Sequence, residues 1–571
     1  MSLAPLANVF AYSDPDPSVV AKVADRLRAT TKFTAVWEPA ASWIAASAPL
    51  PGVESNDAAV RRAGLAFAEG RQVAEDPGGV AAGIDARRYD FGGDVGMVRF
   101  RAAGEATVVR SAAGLVPWYV WTSGSSAAVA TLVTDMARFV PHDLALDPLP
   151  NAMWASFIAA FPDRRTFLSG VEAVAPGAAA VMVAGRPVHH EAWWDPWPDA
   201  WVRPSRARRE QHVARFREEV LASLRAGLDP AGGNLLTLSG GVDSTLLAAV
   251  IAGHLGLPLS ALSLVPEGEG PIVEREWSYL APIVEEFGIS PHLTRPFSAA
   301  CRLEMAGRGP EVAFPVLHPA LQLLPEAMEQ TSVTVLVGGE FADEVSGGEF
   351  AFADWREAVG PSGLLRQWGR WPHGRSDLRT WAGWVRRGKP LNEPWPGALS
   401  TIVRPEVKAE YQSWRFAESA NLANDPRPHR HLRALLGSLE GVTAMNWEAC
   451  SALRVRRLFP FLTRGVLELV AECYPTELLG PGTKRLERQA FAGMVPARNL
   501  RRPDKGSFRP TRSNGQPVRC QRAPDHLTPI VRREVLDGTW QGAAHEAAGL
   551  ASLIAFASTT AKIARRRGND G

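Results

Sequence analysis

Asn234-Leu235-Leu236-Thr237-Leu238-Ser239-Gly240-Gly241-Val242-Asp243-Ser244-Thr245-Leu246-Leu247-Ala248-Ala249-Val250-Ile251 runs from an apolar stretch through a small-residue turn into a second apolar stretch. Residues 234–238 predict a strand and residues 244–254 a helix. A turn of this kind aims several free backbone N–H groups and a helix N-terminus at one point, which suits a pyrophosphate. Gly240 and Gly241 let the backbone approach a phosphate closely, and the hydroxyls of Ser239 and Ser244 add donors. Asp243 stands where a carboxylate can hold a phosphate-bound Mg²⁺, a hard cation that prefers oxygen. No Gly-Lys-Ser/Thr follows, so this is not a Walker loop, and the spacing is not the dinucleotide G-x-G-x-x-G. Taken alone, the same residues also suit an ordinary glycine turn with Asp243 in the first helical turn.

Around this stretch, strands and helices alternate. A helix is expected over 211–226, a strand over 260–265, a helix over 274–287 and a strand over 333–337, the pattern of a parallel sheet with crossover helices. Residues 1–200 read differently: a helix over 18–28, strands over 95–101 and 106–110, a hairpin partner over 116–122, and β-prone runs over 171–190. The run Trp193-Trp194-Asp195-Pro196-Trp197-Pro198 reads as a rigid connector, and the domain boundary is placed near residue 205. Beyond residue 350 the chain reads as mainly helical.

The 571 residues are 46% hydrophobic and 21% charged, with a formal net charge of +2. That excludes a disordered chain and argues against one built to coat nucleic acid. The four cysteines, Cys301, Cys450, Cys473 and Cys520, show no metal-ligand spacing, which argues against a disulfide framework or a zinc site. The N-terminus has no basic n-region, and the most apolar stretch, 235–265, is broken by Asp243, His254 and glycines. A cytoplasmic protein without a membrane span is expected. Only seven of the 62 basic residues are lysines: Lys22, Lys32, Lys389, Lys408, Lys484, Lys505 and Lys562. Coding bias explains the scarcity, yet a lysine kept in such a chain is worth inspecting, since chemistry that needs a compact, movable or deprotonatable cation cannot easily use arginine.

The loop Ser239-Gly240-Gly241-Val242-Asp243-Ser244 resembles the pyrophosphate-binding loop of ATP pyrophosphatases. A second segment, Gly338-Gly339-Glu340-Phe341-Ala342-Asp343-Glu344-Val345-Ser346-Gly347-Gly348, is similar to one in asparagine synthetases. A third, Lys484-Arg485-Leu486-Glu487-Arg488-Gln489-Ala490-Phe491 followed by Arg501-Arg502-Pro503-Asp504-Lys505, resembles the C-terminal part of the same superfamily, although Asp504 intrudes in the R-P-K pattern. Leu458-Phe459-Pro460-Phe461-Leu462-Thr463 resembles its R-x-P-F-L-D element without the aspartate. The resemblance implies an adenine-nucleotide-hydrolase-like parallel α/β synthetase domain, with a helical C-terminal part, over 206–571. It implies ATP and Mg²⁺ as cofactors. Asp243 and Asp343 would hold the metal. Leu238, Ser239, Gly240, Gly241, Asp243, Ser244, Leu264, Gly338 and Gly339 would contact the nucleotide. Lys484 would face the phosphates, Lys505 would stabilise the adenylate and the oxyanion, and Glu340 would act as general base or orient the amine. Glu440 is placed as a second acid.

The first 205 residues resemble a degenerate N-terminal-nucleophile-type αββα domain, a glutaminase-like unit in which the chain starts Met1-Ser2-Leu3 and the first cysteine is Cys301. Residues 109–122 resemble its central hairpin. Without the cysteine nucleophile another amine is needed, as in β-lactam synthetases, carbapenam synthetases and the macrolactam-forming cyclases of lasso peptides. Chain length and the Trp- and Arg-rich stretch 354–414 resemble the cyclases most. They imply a precursor peptide as substrate, a leader-binding protein and a leader protease as partners, and no nucleic acid. That stretch suits either a partner surface or the packing of an extra helical subdomain. A small-molecule amide ligase, or a non-catalytic peptide-binding scaffold, are the rival readings.

Overall fold

The computed structural model describes residues 7–30, 32–40, 42–49, 65–69, 77–90, 96–101, 104–156, 158, 160–266, 270–297, 319–346, 354–355, 357–360, 399–438, 440–478, 484–502, 518–519, 527–537, 541–542, 550 and 554. Two antiparallel sheets build the N-terminal part. Their strands are β1 (Ala7–Ser13), β2 (Ala35–Trp37), β3 (Trp43–Pro49), β4 (Leu65–Glu69), β5 (Gly96–Phe100), β6 (Glu105–Val109), β7 (Tyr119–Ser123), β8 (Ser126–Ala130), β9 (Val171–Ala173), β10 (Ala178–Val183) and β11 (His189–Ala192). The first sheet runs β2-β3-β1-β8-β7-β9 and the second β11-β10-β6-β5-β4.

The pleat explains why these strands are apolar on both faces. In β1, Val9 and Ala11 join Val98, Phe100, Val108, Trp118 and Met182 between the sheets. Phe10 and Tyr12 point the other way, onto Val23 and Leu27 of the Pro17–Ala29 helix and onto Met136 and Phe139. The outer face of the second sheet is covered by Val80, Ala81 and Ile84 of the Pro77–Asp85 helix. The layers are therefore helix, sheet, sheet, helix. One expected pairing is wrong: β6 pairs with β5 and β10, whereas β7 pairs with β8 and β9 in the other sheet. Residues 109–122 thus pass between sheets instead of forming a hairpin.

The C-terminal part holds a five-stranded, wholly parallel sheet of β12 (Asn234–Thr237), β13 (Ser260–Pro266), β14 (His292–Phe297), β15 (Val335–Val337) and β16 (Arg456–Leu458), in the order β14-β13-β12-β15-β16. Its first helix, Arg206–Gly227, starts five residues before the expected 211, because the Ser205 side chain accepts from the Arg208 N–H and caps it. The helix after the turn is Val242–Ala248, which passes without a break into a π-helical turn, Ala249–His254. The next expected helix spans Pro271–Glu286 and the expected strand at 333–337 is Val335–Val337. Leu236, Ala261, Val335 and Val337 face the Arg206–Gly227 and Val242–Ala248 helices. Leu235, Leu262, Leu293 and Leu336 face a core shared with the N-terminal part.

From β12 the chain moves outward to β13 and β14, then returns to lay β15 on the other side of β12. That reversal opens a crevice beyond the carboxyl ends of β12 and β15. Both glycine-rich motifs begin there. Among the described residues, no helix is long and apolar enough to cross a membrane.

Candidate active site

The turn after β12 is held in shape by its own hydroxyls. Ser244 Oγ accepts from the Ser239 N–H at 3.1 Å and lies 3.1 Å from Ser239 Oγ, while the Gly241 N–H donates to Ser239 Oγ at 3.3 Å. Gly240 has φ +70, and a Cβ there would come within 3.2 Å of the Leu280 backbone N. Only glycine fits that left-handed, close-packed position. Leu238 is buried beneath the loop. Leu264, near the carboxyl end of β13, pairs with Arg295 of β14 and is half-buried.

The turn after β15 lies against the first. A Cβ on Gly339 would meet the Asp243 Cβ at 2.9 Å. Phe341, at φ +69, turns the backbone so that the short Ala342–Ser346 helix brings Asp343 to the same point. Lys484 joins the two. Its Nζ bonds Asp243 Oδ1 and lies 2.8 Å from Asp343 Oδ1. Lys484 itself adopts a left-handed conformation, φ 59 and ψ 43, at the start of the Arg485–Ala490 helix, and is 6% exposed. Burial alone would lower its pKa, but the carboxylates of Asp243, Glu487 and Asp343 outweigh this and hold it above the usual lysine value. Two carboxylates converging on one buried cation form the hard oxygen donor set that Mg²⁺ takes.

Glu487 was not legible as part of the site. It is fully buried one turn after Lys484, accepts from Ser346 Oγ at 2.8 Å, and has its pKa driven well up by burial and then by the Asp243 charge. Its place in the triplet of acids comes from helix geometry that no motif advertises. Glu340 is held by Arg457, whose guanidinium also donates to Asn446 Oδ1 at 2.8 Å and to the Leu336 carbonyl at 3.2 Å. Gly338 makes room for this pair, since a Cβ there would overlap the Glu340 carboxylate and the Arg457 guanidinium. Arg457 sits in β16, a strand the sequence did not predict.

A family model described as asparagine synthase matches residues 215–547. The chain belongs to the asparagine synthase family. No curated protein gives a significant match. Members of this family are ATP-dependent, AMP-forming ligases that make amide bonds.

Within the asparagine synthase region the remaining expected residues fall as follows. Glu440 opens the Glu440–Ala452 helix and bonds Arg110 of the N-terminal part, whose guanidinium also donates to the carbonyls of Val174 at 2.5 Å and Gly114 at 2.7 Å. Burial raises the Glu440 pKa, and Arg110 offsets part of that rise. Glu440 lines a cavity of about 230 Å³ between the two parts of the chain, walled by Ala113, Trp194, Trp197, Phe341 and Leu467. Thr463 fills the place of the missing family aspartate as the cap of the Arg464–Glu472 helix, accepting from the Val466 N–H at 3.2 Å. Lys505, Gly347 and Gly348 lie outside the described residues.

Two further features of the sequence take their places as follows. Trp355 is 2% exposed and Trp414 packs on the core beside Tyr411, so these two indoles are packing residues and not partner surface. The other tryptophans of that stretch, Trp368, Trp371, Trp381, Trp384 and Trp395, lie outside the described residues. Cys473, which shows no metal-ligand spacing in sequence, meets His212 and Glu477 in the fold. His212 Nδ1 is 3.0 Å from Glu477 Oε1 and 3.7 Å from Cys473 Sγ. Burial pushes the Cys473 thiol pKa well up, which suits an inert, packed thiol.

Proposed function

We propose that this chain activates a carboxylate by adenylation and passes it to an amine. The observation that carries the reading is the meeting of Asp243, Asp343 and Lys484 at the switch-point crevice, beside the small-residue loop Ser239–Gly241. The loop N–H groups and the Ser239 and Ser244 hydroxyls bind the β- and γ-phosphates. Asp243 and Asp343 would hold Mg²⁺, which would supply neutralisation of the phosphate charge. Lys484, paired with the same two carboxylates, supplies the compact cation for the phosphate oxygens. The substrate carboxylate attacks the α-phosphorus, pyrophosphate leaves, and the amine then displaces AMP from the acyl-adenylate. Glu340, oriented by Arg457, takes the proton from the attacking amine. Lys505 stabilises the oxyanion of that step.

For the acceptor, the length of the chain and the Trp- and Arg-rich stretch 354–414 support macrolactam closure, in which the N-terminal amine of a precursor peptide attacks an Asp or Glu side chain. On this reading residues 1–205 are a glutaminase-like scaffold and 206–571 the synthetase domain, with a leader-binding protein and a leader protease supplying the peptide. The small, mostly apolar cavity at Glu440 favours a second reading, a small-molecule acceptor held between the two parts.

The decisive experiment incubates the chain with Mg·ATP and candidate acceptors. AMP, pyrophosphate and a product lighter by one water are expected. ADP and phosphate as products would refute adenylation. Conversion of small amino-acid substrates but no peptide would transfer the acceptor assignment to the second reading.

A further inference from the structure

The phosphate loop is gripped from behind by the segment that leads toward Lys505. Asn499, in the Ala497–Leu500 helix, and Arg502, two residues past that helix, are 1% and 0% exposed. Arg502 Nη1 donates to the Gly240 carbonyl at 3.2 Å, and Nη2 reaches both Glu276 oxygens at 2.8 Å. Its guanidinium lies 4.3 Å from the Tyr279 ring centroid. Asn499 Nδ2 donates to the Tyr279 carbonyl at 2.9 Å, to Thr245 Oγ1 at 3.3 Å and to the Gly240 carbonyl at 3.5 Å. The Lys484-bearing helix holds the same segment from its other side: Arg488 donates to the Leu500 carbonyl and, at 3.0 Å, to the Arg502 carbonyl.

The consequence lies in one peptide plane. The Gly240–Gly241 bond is trans, so its C=O and N–H point in opposite directions. A carbonyl held at the back by two buried donors sends the Gly241 N–H into the cleft. There it meets Ser239 Oγ at 3.3 Å, a long bond that an anionic oxygen would replace with a shorter, charge-assisted one. With glycine on both sides, this plane can turn about the Gly240 Cα–C and Gly241 N–Cα bonds, and the two donors select one orientation. Stability does not account for the arrangement, because desolvation of a buried Arg–Glu pair offsets most of its attraction.

We propose that Arg502 and Asn499 are positioning residues for the phosphate loop. They fix the Gly240–Gly241 peptide so that its N–H faces the incoming pyrophosphate oxygens. Through Arg488 they also tie that plane to the helix of Lys484, so that loop and lysine meet the phosphates as one body. The proposal rests on the ATP-dependent reading above.

The test measures equilibrium binding of Mg·ATP and of inorganic pyrophosphate to the full chain, with KM, kcat and melting temperature. It uses the wild type, Arg502→Lys, Asn499→Ala and Asp243→Asn. Arg502→Lys keeps the charge but loses the fork, and Asn499→Ala serves if the arginine variant does not fold. Each is expected to weaken pyrophosphate and ATP about tenfold to a hundredfold. Each is expected to raise KM for ATP by more than it lowers kcat. A lower melting temperature with wild-type affinity in the folded protein overturns the proposal. If the wild type binds Mg·ATP no better than Asp243→Asn, the adenylation reading itself fails.

Discussion

Lys484 Nζ lies 2.8 Å from Asp343 Oδ1 while also bonding Asp243, so one buried ammonium joins the two turns that follow β12 and β15. The cation stands where a divalent ion between those carboxylates would sit. It is the partner that neutralises both carboxylates and, on the adenylation reading proposed above, the cation that would face the phosphates.

Replacing Lys484 with methionine therefore has two consequences. Loss of a buried pairing partner is expected to cost about 3–5 kcal/mol of stability, read by denaturant unfolding. Added Mg²⁺ is expected to raise the melting temperature of the variant more than that of the wild type, because the bared carboxylates now recruit the ion. Equal shifts in the two proteins would disprove the shared position.

Glu340→Gln is expected to separate the half-reactions. ATP–pyrophosphate exchange should persist, because the side chain is held by Arg457 and is assigned to the later, amine-attack step. Amide formation should fall by about 10²–10⁴, the usual size of a general-base contribution. Equal loss of both activities would remove Glu340 from the acceptor step.

Arg110 and Glu440 join the two parts of the chain through a fully buried guanidinium. Arg110→Met should destabilise by about 3–5 kcal/mol, and adding Glu440→Gln to it should restore much of the loss, since the uncompensated charge is then gone. Additive losses in that double-mutant cycle would show that the two groups do not depend on each other. If Glu440 instead works as an acid in the chemistry, Glu440→Gln alone lowers kcat with no gain in the double variant.

Glu448 gives a pH dependence with a definite sign. It is buried, accepts from Thr134 Oγ1 at 2.6 Å, and burial raises its pKa to about 7, against which the Thr134 and Lys32 interactions work. A folded pKa above the unfolded one means the folded state binds the proton more tightly. Its contribution is full below about pH 4.5 and is lost as pH rises to about 7, a change of about 3 kcal/mol. Glu448→Gln should flatten this dependence between those pH values in unfolding experiments. An unchanged slope would show that Glu448 does not titrate there.

How much of the fold is legible in the sequence depends on how local each signal is. The β12 strand, its glycine turn and the helix after it were legible because period, glycine and the serine hydroxyls all act within one turn of chain. β14 and β16 were not. His292–Phe297 carries histidine, arginine and proline, and Arg456-Arg457-Leu458 is two-thirds cationic, so neither shows the apolar run of a buried parallel strand. Arg457 is buried there because Glu340, Asn446 and a carbonyl satisfy its guanidinium, a set of partners that exists only after folding. The wrong hairpin at 106–122 has the same cause: alternating β-prone residues fix which face is buried, not which strand lies alongside.

The sequence by itself determined a parallel α/β core with a glycine-rich turn at its centre, a second acidic motif at the end of a later strand, and a lysine ahead of a C-terminal helix. Those are properties of short segments, set by periodicity and turn chemistry. Only the tertiary structure decided that Asp243, Asp343 and Lys484 share one point, that Glu487 is buried beside them, and that Arg502 and Asn499 orient the Gly240 carbonyl. Each of these depends on which strands flank β12 and on where the chain reverses across the sheet. That order is set by the packing of the whole core, and no local stretch encodes it.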